Sequence, residues 1–131
     1  MTKPNARKSI LLIDDHQQRK TELSSRLRMQ GYTIDIATGG FHGVHLMEKN
    51  SYDLVMMIDD MSDLSTQETV GLIKATAQKK NSDIPVMVMR SVGKELDDDE
   101  IEFIKQENVS QVTAWHNEFR TLLRQITANL S

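Results

Sequence analysis

Short, almost wholly apolar runs alternate along the chain with longer segments in which apolar residues recur every three or four positions. Runs that are apolar on both faces are typical of strands buried within a parallel sheet, and the longer period is that of an amphipathic helix. We predict strands at Ser9–Ile13, Thr33–Ala37, Tyr52–Ile58, Ile84–Met89 and Val109–Trp115. We predict helices at His16–Gln30, Phe41–Lys49, Thr66–Lys80, Glu100–Glu107 and Glu118–Leu130.

The apolar positions within each helical segment predict which of its faces is buried. In chain order, the predicted stripes are Leu23, Leu27 and Met29; Phe41, Val44 and either Leu46 or Met47; Val70, Ile73 and Ala77; Ile101, Ile104 and Phe103; and Phe119, Leu122, Leu123 and Ile126. Gly31 follows the first helix in the position of a C-cap.

The regular order of strand and helix predicts an α/β fold with a doubly wound parallel sheet covered by helices on both faces. We predict one domain over residues 9–131, preceded by a flexible lead-in over residues 1–8. In such sheets the functional crevice lies at the carboxyl ends of the strands. The residues that follow Ile13, Ile58, Met89 and Ala114 are therefore the candidates for function.

Composition narrows the function classes. The chain has 131 residues, a formal net charge of −3 and no cysteine. The mild acidic excess disfavours nucleic acid as a partner, and the lack of cysteine excludes disulfides and thiolate chemistry. Without a secretory signal or an apolar run long enough for a bilayer, we expect a cytoplasmic protein with no membrane partner.

Several segments together resemble the receiver domains of bacterial response regulators. They are the acidic pair Asp14-Asp15 after the first strand, Gly31-Tyr32 before the second, the third strand from Tyr52, and the fourth strand around Pro85. The likeness runs from about Ser9 to Ile126. It implies a flavodoxin-like (βα)5 fold with strand order 2-1-3-4-5, and a role in two-component signal transduction or a phosphorelay. The partners it implies are a histidine kinase, an effector domain or a second copy of the chain.

Receivers carry a phosphoacceptor aspartate at the end of strand three, and their acidic pair binds Mg²⁺ beside it. A Thr or Ser ends strand four, and a Lys followed by a cis-Pro ends strand five. The carboxylate attacks phosphorus while Mg²⁺ and the Lys neutralise the developing charge.

This sequence keeps the acidic pair but departs from the other positions. The acceptor position falls on Ile58, and Asp59 comes one residue too late. Because side chains alternate along a strand, that offset turns Asp59 to the other side unless the strand bulges. The remaining positions are occupied by Ser62 for Pro, Thr66 for Gly, Arg90 for the hydroxyl residue, Val112 for the aromatic switch, Trp115 for Lys and His116 for Pro.

The departures favour a degenerate receiver, or pseudo-receiver, that is not an enzyme and has no catalytic residues. We hypothesise that Arg90 pairs with Asp14, Asp15 or Asp59, because clustered carboxylates need a cation. Weak Mg²⁺ binding by the same three aspartates is the competing use, and otherwise we expect no cofactor. Trp115 and His116 lie beside the surface that receivers use for partners, and burial against the sheet end is an equal alternative for Trp115.

Three functions therefore compete. The first is a signalling module that binds a protein partner independently of phosphorylation. The second is a phosphorylatable response regulator that uses Asp59 as a register-shifted acceptor. The third, an unrelated flavodoxin-like nucleotide binder, is disfavoured because Asp14-Asp15-His16 stands where a Gly-rich phosphate loop would follow the first strand.

Overall fold

The computed structural model describes residues 8–59, 61–90, 98–107, 109–113 and 119–130. Strands and helices alternate from end to end of these segments. The strands are β1 (Ser9–Ile13), β2 (Thr33–Ala37), β3 (Leu54–Ile58), β4 (Val86–Arg90) and β5 (Val109–Thr113). The helices are α1 (Gln17–Met29), α2 (Gly40–Lys49), α3 (Thr66–Lys79), α4 (Asp98–Glu107) and α5 (Phe119–Leu130).

The five strands form one parallel sheet in the order β2-β1-β3-β4-β5. This confirms the predicted flavodoxin-like architecture and strand order. Because every neighbouring pair is parallel, the carboxyl ends of all strands lie at one edge of the sheet. The predicted crevice therefore lies where β1, β3 and β4 end.

The register fixes which residues meet at that edge. Ile13 pairs with Met57, Ile58 pairs with Met89, and Arg90 pairs with Thr113. The backbone N–H of Asp14 extends the pairing by donating to Ala37 O at 3.0 Å, and that of Asp59 donates to Met89 O at 3.0 Å. The backbone ladder thus continues for one residue beyond β1 and one beyond β3.

The core is built on the three inner strands, which explains why their sequences are almost continuously apolar. Every residue of β3 and β4 is buried, as is β1 from Ile10 onward. Leu23, Leu27, Val70, Ile73, Ala77, Leu122 and Ile126 cover the sheet from the helices, as their spacing predicted.

Three predicted core positions are wrong. Met29, the last residue of α1, is 80% exposed, and Ile101 of α4 is 38% exposed while Phe103 packs against the core. Phe41 is 62% exposed because α2 buries a face made by Gly40, Gly43 and Met47 instead. Those glycines let α2 approach the sheet closely, and Phe41 lies about 100° around the helix from Gly40 and about 160° from Gly43. The side chain of Ile104 lies outside what the structure describes.

Local signals define several helix boundaries. The C-cap of α1 is Gln30, and Gly31, predicted in that position, comes one residue later with a φ of 99°, the left-handed conformation typical of a glycine that ends a helix. Ser65 and Glu68 form a capping box at the start of α3. Of the predicted lead-in, residues 1–7 lie outside the described residues, and Lys8 O accepts a hydrogen bond from Thr33 N at 2.9 Å. None of the described helices is both long and apolar enough to cross a bilayer.

Candidate functional site

The acidic pair lies at the carboxyl edge of the sheet, with its two side chains in different environments. Asp14 is fully buried, whereas Asp15 is exposed. Asp14 Oδ1 accepts a hydrogen bond from the backbone N–H of His16 at 2.9 Å. His16 in turn caps α1, because its Nδ1 accepts from Arg19 N at 3.2 Å. The pair therefore belongs to the same tight turn that starts the first helix.

A guanidinium neutralises the buried aspartate. Arg19 Nε donates to Asp14 Oδ2 at 2.6 Å, and Arg19 Nη2 donates to Asp14 Oδ1 at 2.7 Å. Two parallel, charge-assisted hydrogen bonds of this kind are the strongest pairing that an arginine makes with a carboxylate. The hydrogen bond to Asp14 raises the pKa of Arg19 against the opposing effect of burial, and the charges of Asp14, Asp15 and Asp59 raise it further.

Asp15 connects the end of β1 to the loop after β3. Its Oδ2 accepts hydrogen bonds from both the backbone N–H and the hydroxyl of Ser62, each at 3.1 Å. Ser62 stands where the resemblance expects a proline, and a proline could supply neither donor. This departure from the receiver pattern thus gives Asp15 a partner from within the chain.

Ile58 and Asp59 stand at the end of β3. Ile58 is buried and in regular register with β4, and Asp59 follows with its backbone still bonded to Met89. The aligned acceptor position is therefore an apolar side chain. Asp59 is only 6% exposed, and its charge contributes to the raised pKa of Arg19. Asp59 thus belongs electrostatically to the cluster, a proximity that strand alternation did not predict.

Arg90 ends β4 as a buried cation. Its side chain is paired with Glu100 of α4, at 3.9 Å between Nη1 and Oε2. The sequence hypothesis paired Arg90 with Asp14, Asp15 or Asp59, and the cation hydrogen-bonded to Asp14 is Arg19 instead. Pairing of Arg90 with Asp15 or Asp59 stays a prediction.

Sequence reasoning missed Arg19, although a signal was present. Side chains on a helix tilt toward its N-terminus, so a long side chain in the first turn reaches back over the residues that precede the helix. Arg19 is the third residue of α1 and lies five positions after Asp14. The other predicted site residues, Trp115 and His116, lie outside the described residues, as does Asp60.

The receiver resemblance implies a Mg²⁺ ion at this edge, and the residues present do not fit one. Both carboxylate oxygens of Asp14 are bonded to Arg19, and Asp15 is bonded to Ser62. Among the described residues there is no group of three His, Cys, Asp or Glu side chains able to hold a metal. Every buried side-chain nitrogen or oxygen within that part of the chain has a hydrogen-bond partner, so none is left over as a ligand.

The fold closely matches those of solved receiver domains. A CheY-like receiver protein from Methanospirillum hungatei superposes with a TM-score of 0.79 at 17% identity, over 95% of this chain and 94% of that one. A two-component response regulator from Clostridium difficile gives a TM-score of 0.79 at 19% identity, over 95% and 96% of the two chains. At such low identities these likenesses establish the fold.

Sequence comparison connects the chain to larger signalling proteins. The transcriptional regulatory protein CusR of Escherichia coli K12 is 23% identical over 84 residues, which are 64% of this chain and 35% of the regulator. The CpxR homolog of Haemophilus influenzae is 30% identical over 88 residues, 67% of this chain and 36% of that protein. The sensor protein EvgS of E. coli K12 is 30% identical over 78 residues, 60% of this chain and 6% of the sensor. No protein-family model matches the sequence.

The fold and these sequence matches together strongly support a receiver domain of the response-regulator, CheY-like class, used in two-component signalling. The chain spans only 35% of the length of the first of these relatives, so it corresponds to one part of such regulators.

Proposed function

We propose that this chain is a pseudo-receiver that acts in signal transduction by binding a protein partner independently of phosphorylation. The observation that carries the proposal is Ile58, buried at the end of β3 in the register position of the phosphoacceptor. An isoleucine side chain has no nucleophile with which to accept a phosphoryl group. The regular pairing of Ile58 with Met89, and of Asp59 N with Met89 O, argues against a bulge that would shift the strand.

The remaining pocket also supports a binding role. Asp14 is bonded to Arg19 and Asp15 to Ser62, so two of the carboxylates that would assist phosphotransfer are already engaged within the chain. A site whose charges are internally compensated holds one arrangement without a ligand. We therefore expect the surface of the domain to be constantly presented to its partner, in the manner of a scaffold and not of a switch.

Relatives that are sensors and transcriptional regulators favour a histidine kinase or an effector domain as the partner, in the cytoplasm. Trp115 and His116 are the proposed contact residues, and a homodimer through the same surface is the alternative. Trp115→Ala should weaken capture of the partner at least tenfold, because large aromatic side chains dominate interface energies. Trp115→Phe serves as the matched control and should retain most of the binding.

Beryllofluoride and acetyl phosphate test the phosphorylation-independent reading. Wild-type protein incubated with acetyl phosphate and Mg²⁺ should gain no phosphoryl mass, and beryllofluoride should leave its amide NMR spectrum unchanged. An unrelated, active receiver domain treated in parallel checks the reagents. A stable adduct on wild-type protein would overturn the proposal.

The second candidate is phosphorylation on Asp59, and one observation favours it. Asp59 is buried at the strand end, and its charge acts on the same guanidinium as those of Asp14 and Asp15. If Asp59 is the acceptor, wild-type protein gains mass with acetyl phosphate and Asp59→Asn does not. The matched variant Asp53→Asn, an exposed aspartate at the opposite end of β3, should then still be modified.

A further inference from the structure

The cation at the acidic edge is supplied by the chain itself. Arg19 engages Asp14 through two nitrogens at 2.6 and 2.7 Å, and the same carboxylate is also bonded to His16 N at 2.9 Å. Asp14 is fully buried, whereas the Arg19 side chain is 29% exposed. A buried carboxylate without a cation is costly, so this pairing is what allows Asp14 to lie beneath the start of α1.

The charges that act on Arg19 are those of the aspartates to which the receiver resemblance assigns a metal. Asp14 touches the guanidinium, and the charges of Asp15 and Asp59 also favour its protonated form. A divalent ion placed among these carboxylates would have to compete with a permanent positive charge at close range. It would also have to break both hydrogen bonds to Asp14.

The position of Arg19 in the helix indicates that this pairing is specific. The N-terminus of a helix favours anions, and α1 has no acidic residue in its first turn and instead places Arg19 there. The helix dipole therefore opposes the charge. The hydrogen bonds to Asp14 offset that cost. Arg19 is therefore stabilised in the first turn of α1 by Asp14, and Asp14 is stabilised in its buried position by Arg19.

We propose that the Arg19 guanidinium is the built-in cation of this site, held on Asp14 where receivers hold a divalent metal, and that it makes the domain independent of Mg²⁺. The inference deepens the proposed function and rests on it, since it assumes a pocket withdrawn from phosphotransfer. The two remain separable because metal binding is measured without any phosphoryl donor.

The test compares metal binding by the wild-type chain and by Arg19→Met, with Mn²⁺ relaxation enhancement and Mg²⁺ calorimetry as readouts. Methionine keeps the unbranched stem of the side chain and removes the guanidinium with its charge. We expect wild type to bind Mg²⁺ without saturation, and Arg19→Met to bind at least tenfold more tightly, about 1.4 kcal/mol. The thermal unfolding midpoint of Arg19→Met should therefore rise when Mg²⁺ is added.

Two control variants make the result specific. Arg26→Met removes the same charge from an exposed position on the same helix, where Arg26 lies over the Phe119 ring at 3.9 Å, and should gain no metal binding. Adding Asp14→Asn to Arg19→Met should abolish the gained binding. If Arg19→Met gains no metal binding, or if Arg26→Met gains as much metal binding as Arg19→Met, the proposal is wrong.

A measurement on wild type keeps the proposal falsifiable if Arg19→Met does not fold. The Nε–H of a guanidinium locked on a buried carboxylate exchanges slowly with water and gives a resolved NMR signal. We expect the Arg19 Nε–H signal to persist unshifted when MgCl₂ is added. Loss or displacement of that signal in a saturable manner would show that a metal ion replaces the arginine. Saturable metal binding by wild type without any phosphoryl adduct would overturn this inference and leave the proposed function standing.

Discussion

At the scale of single residues, Asp63 shows how one carboxylate ties a loop to a helix. It precedes α3 and accepts hydrogen bonds from the backbone N–H groups of Gly40 at 3.0 Å and Phe41 at 3.1 Å, at the start of α2. Burial would raise the pKa of Asp63, but these amides, together with its own and that of Leu64, outweigh burial and lower it. The ionised carboxylate is therefore the form that stabilises the fold.

The sign of the pH dependence follows from that lowered pKa. Because the pKa in the folded state lies below that in the unfolded state, the stabilisation is present above the unfolded value and is lost as pH falls through the folded value. We expect Asp63→Ala to lower the free energy of unfolding by roughly 0.5–1 kcal/mol at neutral pH. The effect is modest because the Asp63 carboxylate that caps the start of α2 is exposed. Urea denaturation across an acidic pH series measures it. The cost should shrink toward zero at the acid end, and an equal cost at every pH would contradict this account.

Residue identity at the site was only partly readable from the sequence. Ile58 was assigned to the acceptor position by counting along the receiver pattern from Asp53 and Met61, and the structure has Ile58 at the end of β3, paired with Met89. Arg19 could not be assigned in this way, because its role depends on how a long side chain folds back over the helix start toward Asp14. The sequence indicated that the aspartates need a cation, and several arginines could supply one.

At the scale of elements, α2 shows why an apolar stripe is an incomplete guide. The helix buries Gly40, Gly43 and Met47 and leaves Phe41 exposed, so close approach to the sheet outweighs the burial of one aromatic ring. A Cβ on Gly43 would lie 2.5 Å from Ile13 Cδ1 and 3.0 Å from Ile13 Cγ1. Ile13 is fully buried and cannot move aside at low cost. A helix face made of glycine carries no hydrophobic signal, and a stripe analysis therefore misses it.

Two glycine substitutions test this packing with opposite expectations. Gly43→Ala should destabilise the fold by about 1–3 kcal/mol through overpacking, although alanine is the better helix former. Gly71→Ala, in the exposed face of α3 with nothing within 4 Å of its added Cβ, should stabilise it by about 0.5–1 kcal/mol. Chemical denaturation of the two variants measures both effects. Stabilisation by Gly43→Ala would show that α2 does not lie this close to Ile13.

At the scale of the whole molecule, the order of the elements was the most predictable feature. Alternation of buried strands with amphipathic helices leaves few ways to build a sheet, since crossovers between parallel strands are right-handed and short. The observed strand bounds differ from the predicted ones by only a few residues. Tyr52 and Ile84 lie outside β3 and β4, because the outermost residues of an apolar run are those that can leave the sheet. The strand order came from the family resemblance and was confirmed by the structure.

The same topology predicts where the molecule opens first. Strands β1, β3 and β4 are each paired on both sides, whereas β2 and β5 form the two edges of the sheet. Opening of an edge strand breaks one ladder, but exposing an inner strand requires loss of the shared core. Amide hydrogen exchange should therefore be slowest in β1, β3 and β4, with opening free energies that equal the global value from denaturation. In β2 and β5 exchange should be faster by local opening, and equal protection of an edge strand would mean that a partner or a second copy covers that edge in solution.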